Sequence, residues 1–116
     1  MKVYRIENKH GEGPYRSIAC EEWETSSHNL GPRNPGPYSD FHEDDWHMIP
    51  GYTKRACLFG FTTLSQLKKW FNTTERERLR RLGYVIVRME AHQIVAQSRL
   101  QCAFVPSENY LPTVAK

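Results

Sequence analysis

A chain of 116 residues has single-domain length and can bury a modest core without staples, so residues 1–116 are read as one domain. No run approaches the roughly eighteen apolar residues of a membrane span, and Arg5, Glu7 and Lys9 interrupt the start, which argues against a span or a secretory leader and predicts a cytoplasmic protein. A net charge of +3 is too small an excess to make nucleic acid the favoured partner.

Met1 to Glu7 alternates, with Tyr4 and Ile6 on one side and Val3, Arg5 and Glu7 on the other, the period of a half-buried strand. Gly11, Gly13 and Pro14 then force a turn. Ser17 to Trp23 is read as a short helix. From Thr25 to Pro50, four prolines and two glycines in a polar setting forbid regular structure over most of the stretch. Tyr38, Phe41, Trp46 and Met48 give it too many large apolar groups for a solvated linker, so it is expected to be an ordered loop over a cleft.

Lys54 to Phe61 reads as a second strand, ending where Gly60 permits close approach. Thr63 and Gln66 match a capping box and predict a helix from Leu64, with Leu67, Trp70 and Phe71 on its apolar face. Thr74 and Glu77 repeat the signal and predict a second helix that buries Leu79 and Leu82 and closes at Gly83. Tyr84 to Glu90 is rich in β-branched residues and reads as a central strand. Ala91 to Ser98 is left between a turn and a short strand. Arg99 to Val105 is the last strand, with Leu100, Cys102 and Phe104 on one face and Gln101 and Ala103 on the other, ended by Pro106. The tail from Ser107 is expected on the surface or frayed. Together these elements predict an α+β domain: a mainly antiparallel sheet, curved or split, two short helices, and a long proline-rich loop bordering a cleft.

Cys20, Cys57 and Cys102 are odd in number and widely spaced, so they are read as reduced, mostly buried thiols. His42 and His47, among the carboxylates Asp40, Glu43, Asp44 and Asp45, are five apart, outside the spacing that puts two imidazoles on one helical face, and no metal site is predicted. The basic residues gather in Lys68, Lys69, Arg76, Arg78, Arg80 and Arg81, diluted by Glu75 and Glu77. This pattern fits a solvated helix face, an acidic partner protein or, less favoured, nucleic acid.

Two polar residues project from strands, Arg5 from the first and Gln101 from the last. An arginine can hold phosphate bidentately, and a glutamine can both donate to and accept from a ribose hydroxyl. The order of an N-terminal Tyr4-Arg5 strand, a Phe59-Gly60-Phe61-Thr62-Thr63 turn that starts a helix, and a late strand bearing Gln101 resembles the three-part signature of ADP-ribosyltransferase-fold proteins, especially small phage or prophage-encoded ones. The resemblance implies NAD as cofactor, held by Arg5, with Phe61 and Thr62 shaping the nicotinamide pocket and Gln101 in the catalytic position. It also implies a host protein as target, modified or simply occupied in the host cytoplasm.

Ala103 stands where that family's Gln-x-Glu motif has its glutamate. An oxocarbenium-like transition state needs a nearby anion, so catalysis would call on Asp40, Glu43 or Asp44 from the long loop, or on Glu108. The loop from His28 to Asp40 could close over a nucleotide, with Arg16 or Arg33 on phosphate and Tyr15, Tyr38 or Trp46 stacking on a ring. The same aromatic and arginine residues are interface anchors. The missing glutamate therefore keeps a second reading open, a non-catalytic inhibitor, for example of a host defence complex, that binds through the aromatic loop and the basic helix.

Overall fold

The computed structural model describes residues 1–14, 40–107 and 113–115, apart from the His42 side chain. Strand β1 (Lys2–Glu7) pairs antiparallel with the first half of a long strand β3 (Val85–Gln97), with Arg5 opposite Val87. The second half of β3 pairs with β4 (Cys102–Pro106), and β4 pairs with the short β2 (Leu58–Gly60). The path β1-β3-β4-β2 then curls back on itself. Phe61, just beyond β2, accepts from the Tyr4 amide at 2.7 Å and donates to the Tyr4 carbonyl at 2.9 Å. The result, among the described residues, is a curled antiparallel sheet carrying three helices, the expected α+β class.

The alternation in β1 sorts its side chains as the sequence predicts. Val3 joins Val87, Met89, Cys102 and Phe104 in one buried cluster, while Ile6 joins Phe61, Leu67, Trp70, Phe71 and Leu79 in another. The second cluster contains the apolar side of helix α2 (Leu64–Trp70) and of α3 (Thr73–Arg81). A third cluster, with Phe41, Trp46, Cys57, Ala96 and Ala103, is built from two 3-10 turns, His42–Asp44 and Trp46–Met48, and the strands beneath them. The aromatic end of the long loop is thus ordered core. Its earlier part, through Ser39, lies outside the described residues, as do the expected helix from Ser17 to Trp23 and Cys20.

Several expectations are corrected. Lys54 to Ala56 belong to a helix, α1 (Gly51–Ala56), and not to the second strand. Pro50 stands at its N-cap position, where a missing N–H costs nothing, and its carbonyl accepts from both Thr53 and Lys54 at 3.0 Å. The Thr63 capping box forms as predicted, with Gln66 N donating to Thr63 Oγ1 at 3.1 Å. Helix α3, however, is capped by Asn72 and Glu75, each bonding the other's backbone amide at 2.9 Å, and not by Thr74 and Glu77. Gly83 closes that helix at φ +92°, a left-handed conformation suited to glycine. Leu82 beside it is exposed, contrary to expectation.

Ala91 to Gln97 continues β3, because register shifts near Ala91/Gln93 and Ile94/Ala96 bend the strand from one partner to the next. The last long strand starts at Cys102, three residues late, since Ser98 to Gln101 form the turn before it, with Ser98 N donating to Gln101 O at 2.9 Å. In the tail, Thr113–Val114 form β5 against Val87 and Arg88, so this part does not fray.

Candidate functional site

Arg5 lies on the same side of β1 as Val3 and Glu7 and is buried at 7% exposure. A guanidinium can be placed there because its donors are met. Nε donates to Glu7 Oε2 at 2.8 Å, and Nη1 donates to the Phe59 carbonyl at 2.8 Å. Two glycines make room for it. A Cβ on Gly60 would sit 3.0 Å from Arg5 Cγ and 2.8 Å from the Tyr4 carbonyl, and a Cβ on Gly13 would sit 3.2 Å from Arg5 Nη2. Arg5 is thus clasped between the β2 backbone and the turn after β1.

Gln101 is also buried, at 6% exposure. Its Nε2 donates to Asp40 Oδ2 at 3.0 Å, and the same carboxylate oxygen accepts from Ser98 Oγ at 2.6 Å. Ser98 Oγ in turn accepts from the Leu100 and Gln101 amides at 3.0 and 3.3 Å. Four residues on, Asp44 Oδ2 accepts from the Gln97 amide at 2.8 Å. Two acids of the loop thereby tie it to the β3–β4 turn.

Arg5, Phe61 and Gln101 line one cavity of about 100 Å3, walled otherwise mainly by apolar groups such as Trp70, Phe71 and Cys57. Asp40 reaches Gln101 without lining that cavity, and Thr62 turns toward the helix cap, its Oγ1 donating to Gln66 Oε1 at 3.0 Å. Tyr15, Arg16, Arg33, Tyr38 and Glu108 lie outside the described residues. Trp46 is buried against Phe41 and Phe59 at centroid distances of 5.5 and 5.9 Å, and packs in the core.

The thiols at this site are poor nucleophiles. Burial pushes the Cys102 thiol up to about 12, although the Gly60 backbone and the Arg5 charge pull the other way. Burial also raises that of Cys57. In both cases the reactive thiolate is disfavoured.

Glu7 and Ser98 complete this constellation, and the sequence reading gave neither a role. The signal for Glu7 was present in the i, i+2 alternation that puts it beside Arg5. That for Ser98 lies in the Ser-x-x-Gln spacing, since a serine at the first position of a turn accepts from amides ahead of it.

On the helical side, α3 exposes Arg78, Arg80 and Arg81. Glu77 holds Arg80 bidentately at 2.6 and 3.0 Å and approaches Arg81 at 3.5 Å. Those cations keep the Glu77 carboxyl below the usual range, the Arg80 hydrogen bond first. Arg76 is held against the α2–α3 junction, donating to the Lys68 and Phe71 carbonyls at 3.2 and 3.0 Å.

Among the described residues no helix is long and apolar enough to cross a membrane. No curated protein and no solved structure matches this chain. A family model does match, over residues 1–113, and by it the chain belongs to the bacteriophage T4 Y00F protein family.

Proposed function

We propose that this phage-family protein is a non-catalytic binding protein that occupies a host protein through the exposed arginines of α3. One contrast carries the reading. Arg5 and Gln101 have their polar atoms engaged by protein groups around a cavity of about 100 Å3, well under the roughly 300 Å3 at which small-molecule sites begin. Arg78, Arg80 and Arg81, by comparison, stand in solvent on one helix. Arginine is among the residues that most often anchor a protein interface.

The test is affinity capture of host protein from bacterial lysate by the wild type and by an Arg78→Glu/Arg80→Glu/Arg81→Glu variant. A retained band that the charge reversal removes is the expected result. Equal capture by both would sink the reading.

A second reading keeps NAD, because Asp40 meets Gln101 in the turn before the strand that lacks the glutamate of the ADP-ribosyltransferase motif. In it Arg5 grips the nucleotide, Phe61 shapes the pocket, and Gln101 with Asp40 serves the ribose. Calorimetric titration of the wild-type protein with NAD separates the two: saturable binding supports the nucleotide reading, and flat heats leave the binding protein.

A further inference from the structure

Helix α3 borders a groove whose floor is apolar. Leu79 and Tyr84 rise from α3 and the chain after it, and Ile6 and Ile86 from β1 and β3, enclosing about 340 Å3 with Arg76 and Arg80 on the rim. The apolar character extends into solvent at two further lining residues, since Val85 is 42% and Val114 62% exposed. Large exposed aliphatics that continue a groove are a mark of an interaction surface. Charge points the same way. The segment from Lys68 to Arg81 holds six cations and two acids, a net +4 against +3 for the whole chain, so the rest of the molecule is slightly acidic and positive charge is concentrated on the segment that supplies Arg76 and Arg80 to the rim.

We infer that this groove takes an acidic segment of a protein partner, with one large apolar side chain on the Leu79, Tyr84 and Ile86 floor and carboxylates on the rim cations Arg76 and Arg80. The inference rests on the binding reading above and names the chemistry the partner presents. Each half of the surface supplies one half of that chemistry. The apolar floor gives no purchase to a phosphate backbone, and Glu77, set among the arginines, repels one; a peptide that alternates carboxylate and aliphatic groups satisfies both. The Glu77 pairs do not block the site, because exposed ion pairs are weak and exchange readily for a better-placed carboxylate.

The experiment is selection of displayed random short peptides on the full-length protein, followed by fluorescence titration of the enriched peptides. Titrations use the wild type, an Arg80→Glu variant and a Val85→Lys/Val114→Lys variant, with thermal melts confirming that both variants fold. The enriched peptides are expected to pair Asp or Glu with a large apolar residue and to bind each variant at least about tenfold more weakly, a loss of about 1.4 kcal/mol. Three outcomes overturn the inference: no enrichment over a blank surface, binding indifferent to both variants, or displacement of the peptide by a DNA oligonucleotide of matching length. If selection fails while host capture still depends on the arginines, the groove is wrong and the binding reading stands. If capture ignores the arginines, both fall.

Discussion

Asp40 and Gln101, 61 positions apart in the chain, are joined by a 3.0 Å hydrogen bond, and Ser98 shares the same carboxylate oxygen. This contact anchors the long proline-rich stretch, at Asp40, to the β3–β4 turn. Hydrogen bonds to a charged group contribute roughly 1.5–3 kcal/mol, so Asp40→Ala is expected to lose about that much in urea unfolding. Because Ser98 acts through the same oxygen, Asp40→Ala and Ser98→Ala should not add, and a double-mutant cycle should return a coupling of at least about 0.5 kcal/mol. Additive losses would show that the three residues do not act as a unit.

Arg5 and Glu7 form an ion pair with 8% and 3% of their side chains exposed. Removing one partner leaves the other charge buried, which costs about 3–5 kcal/mol. Glu7→Gln is therefore expected to lower stability by that order. Arg5→Met combined with Glu7→Leu should recover most of it, as both charges leave together. Chemical denaturation of the single and double variants checks this, and a double variant no better than Glu7→Gln would contradict it.

The periodicity that located Arg5 also shows how far the sequence could be read. Strand alternation in β1, the Thr63 cap and the left-handed Gly83 are local signals, and each is present in the structure. What resisted reading is set by partners distant in the chain. The bend in β3 appears only as two register shifts, because its alternation must serve β1 first and β4 afterwards. Helix α1 is hidden in a run that also suits a strand, and the Pro50 carbonyl that starts it is a tertiary-neutral cue easily outweighed by Ala56-Cys57-Leu58-Phe59. At the candidate site, Arg5, Phe61 and Gln101 were legible as polar or aromatic residues on or beside strands, and they do line one cavity, although Gln101 sits in the turn before β4 and not on it. Glu7 and Ser98 were not, since a hydrogen-bond partner is specified by geometry that a side-chain type alone does not give.

The position of the second helix cap can be tested on its own. Asn72 and Thr74 both stand three residues before a glutamate, yet only the Asn72 side chain accepts from its N3 amide, at 2.9 Å, while Glu77 turns to Arg80 and Arg81. Loss of an N-cap costs about 1 kcal/mol. Asn72→Ala should therefore lower the unfolding free energy by about 1 kcal/mol, and Thr74→Ala should leave it within about 0.5 kcal/mol, as for an ordinary surface change. The reverse order in thermal or urea unfolding would restore Thr74 as the cap.

Cys102 makes stability depend on alkaline pH. Its folded value is raised by burial to about 12, whereas in the unfolded chain a thiol titrates near 8.5. A group raised on folding contributes fully below its unfolded value and loses that contribution as pH climbs toward the folded one, because the unfolded state releases the proton first. Between neutrality and pH 9.5 the expected loss from this one thiol is about 1.4 kcal/mol. The raised Cys57 thiol acts in the same direction. Urea midpoints at pH 7 and pH 9.5 should thus separate more in the wild type than in Cys102→Ala, even though the variant is less stable at both. In a Cys20→Ser background, a thiol reagent at pH 8 should label neither Cys57 nor Cys102 until denaturant is added. Rapid labelling of Cys102 in the folded protein would mean that its sulfur meets solvent, and would remove the basis for the pH dependence.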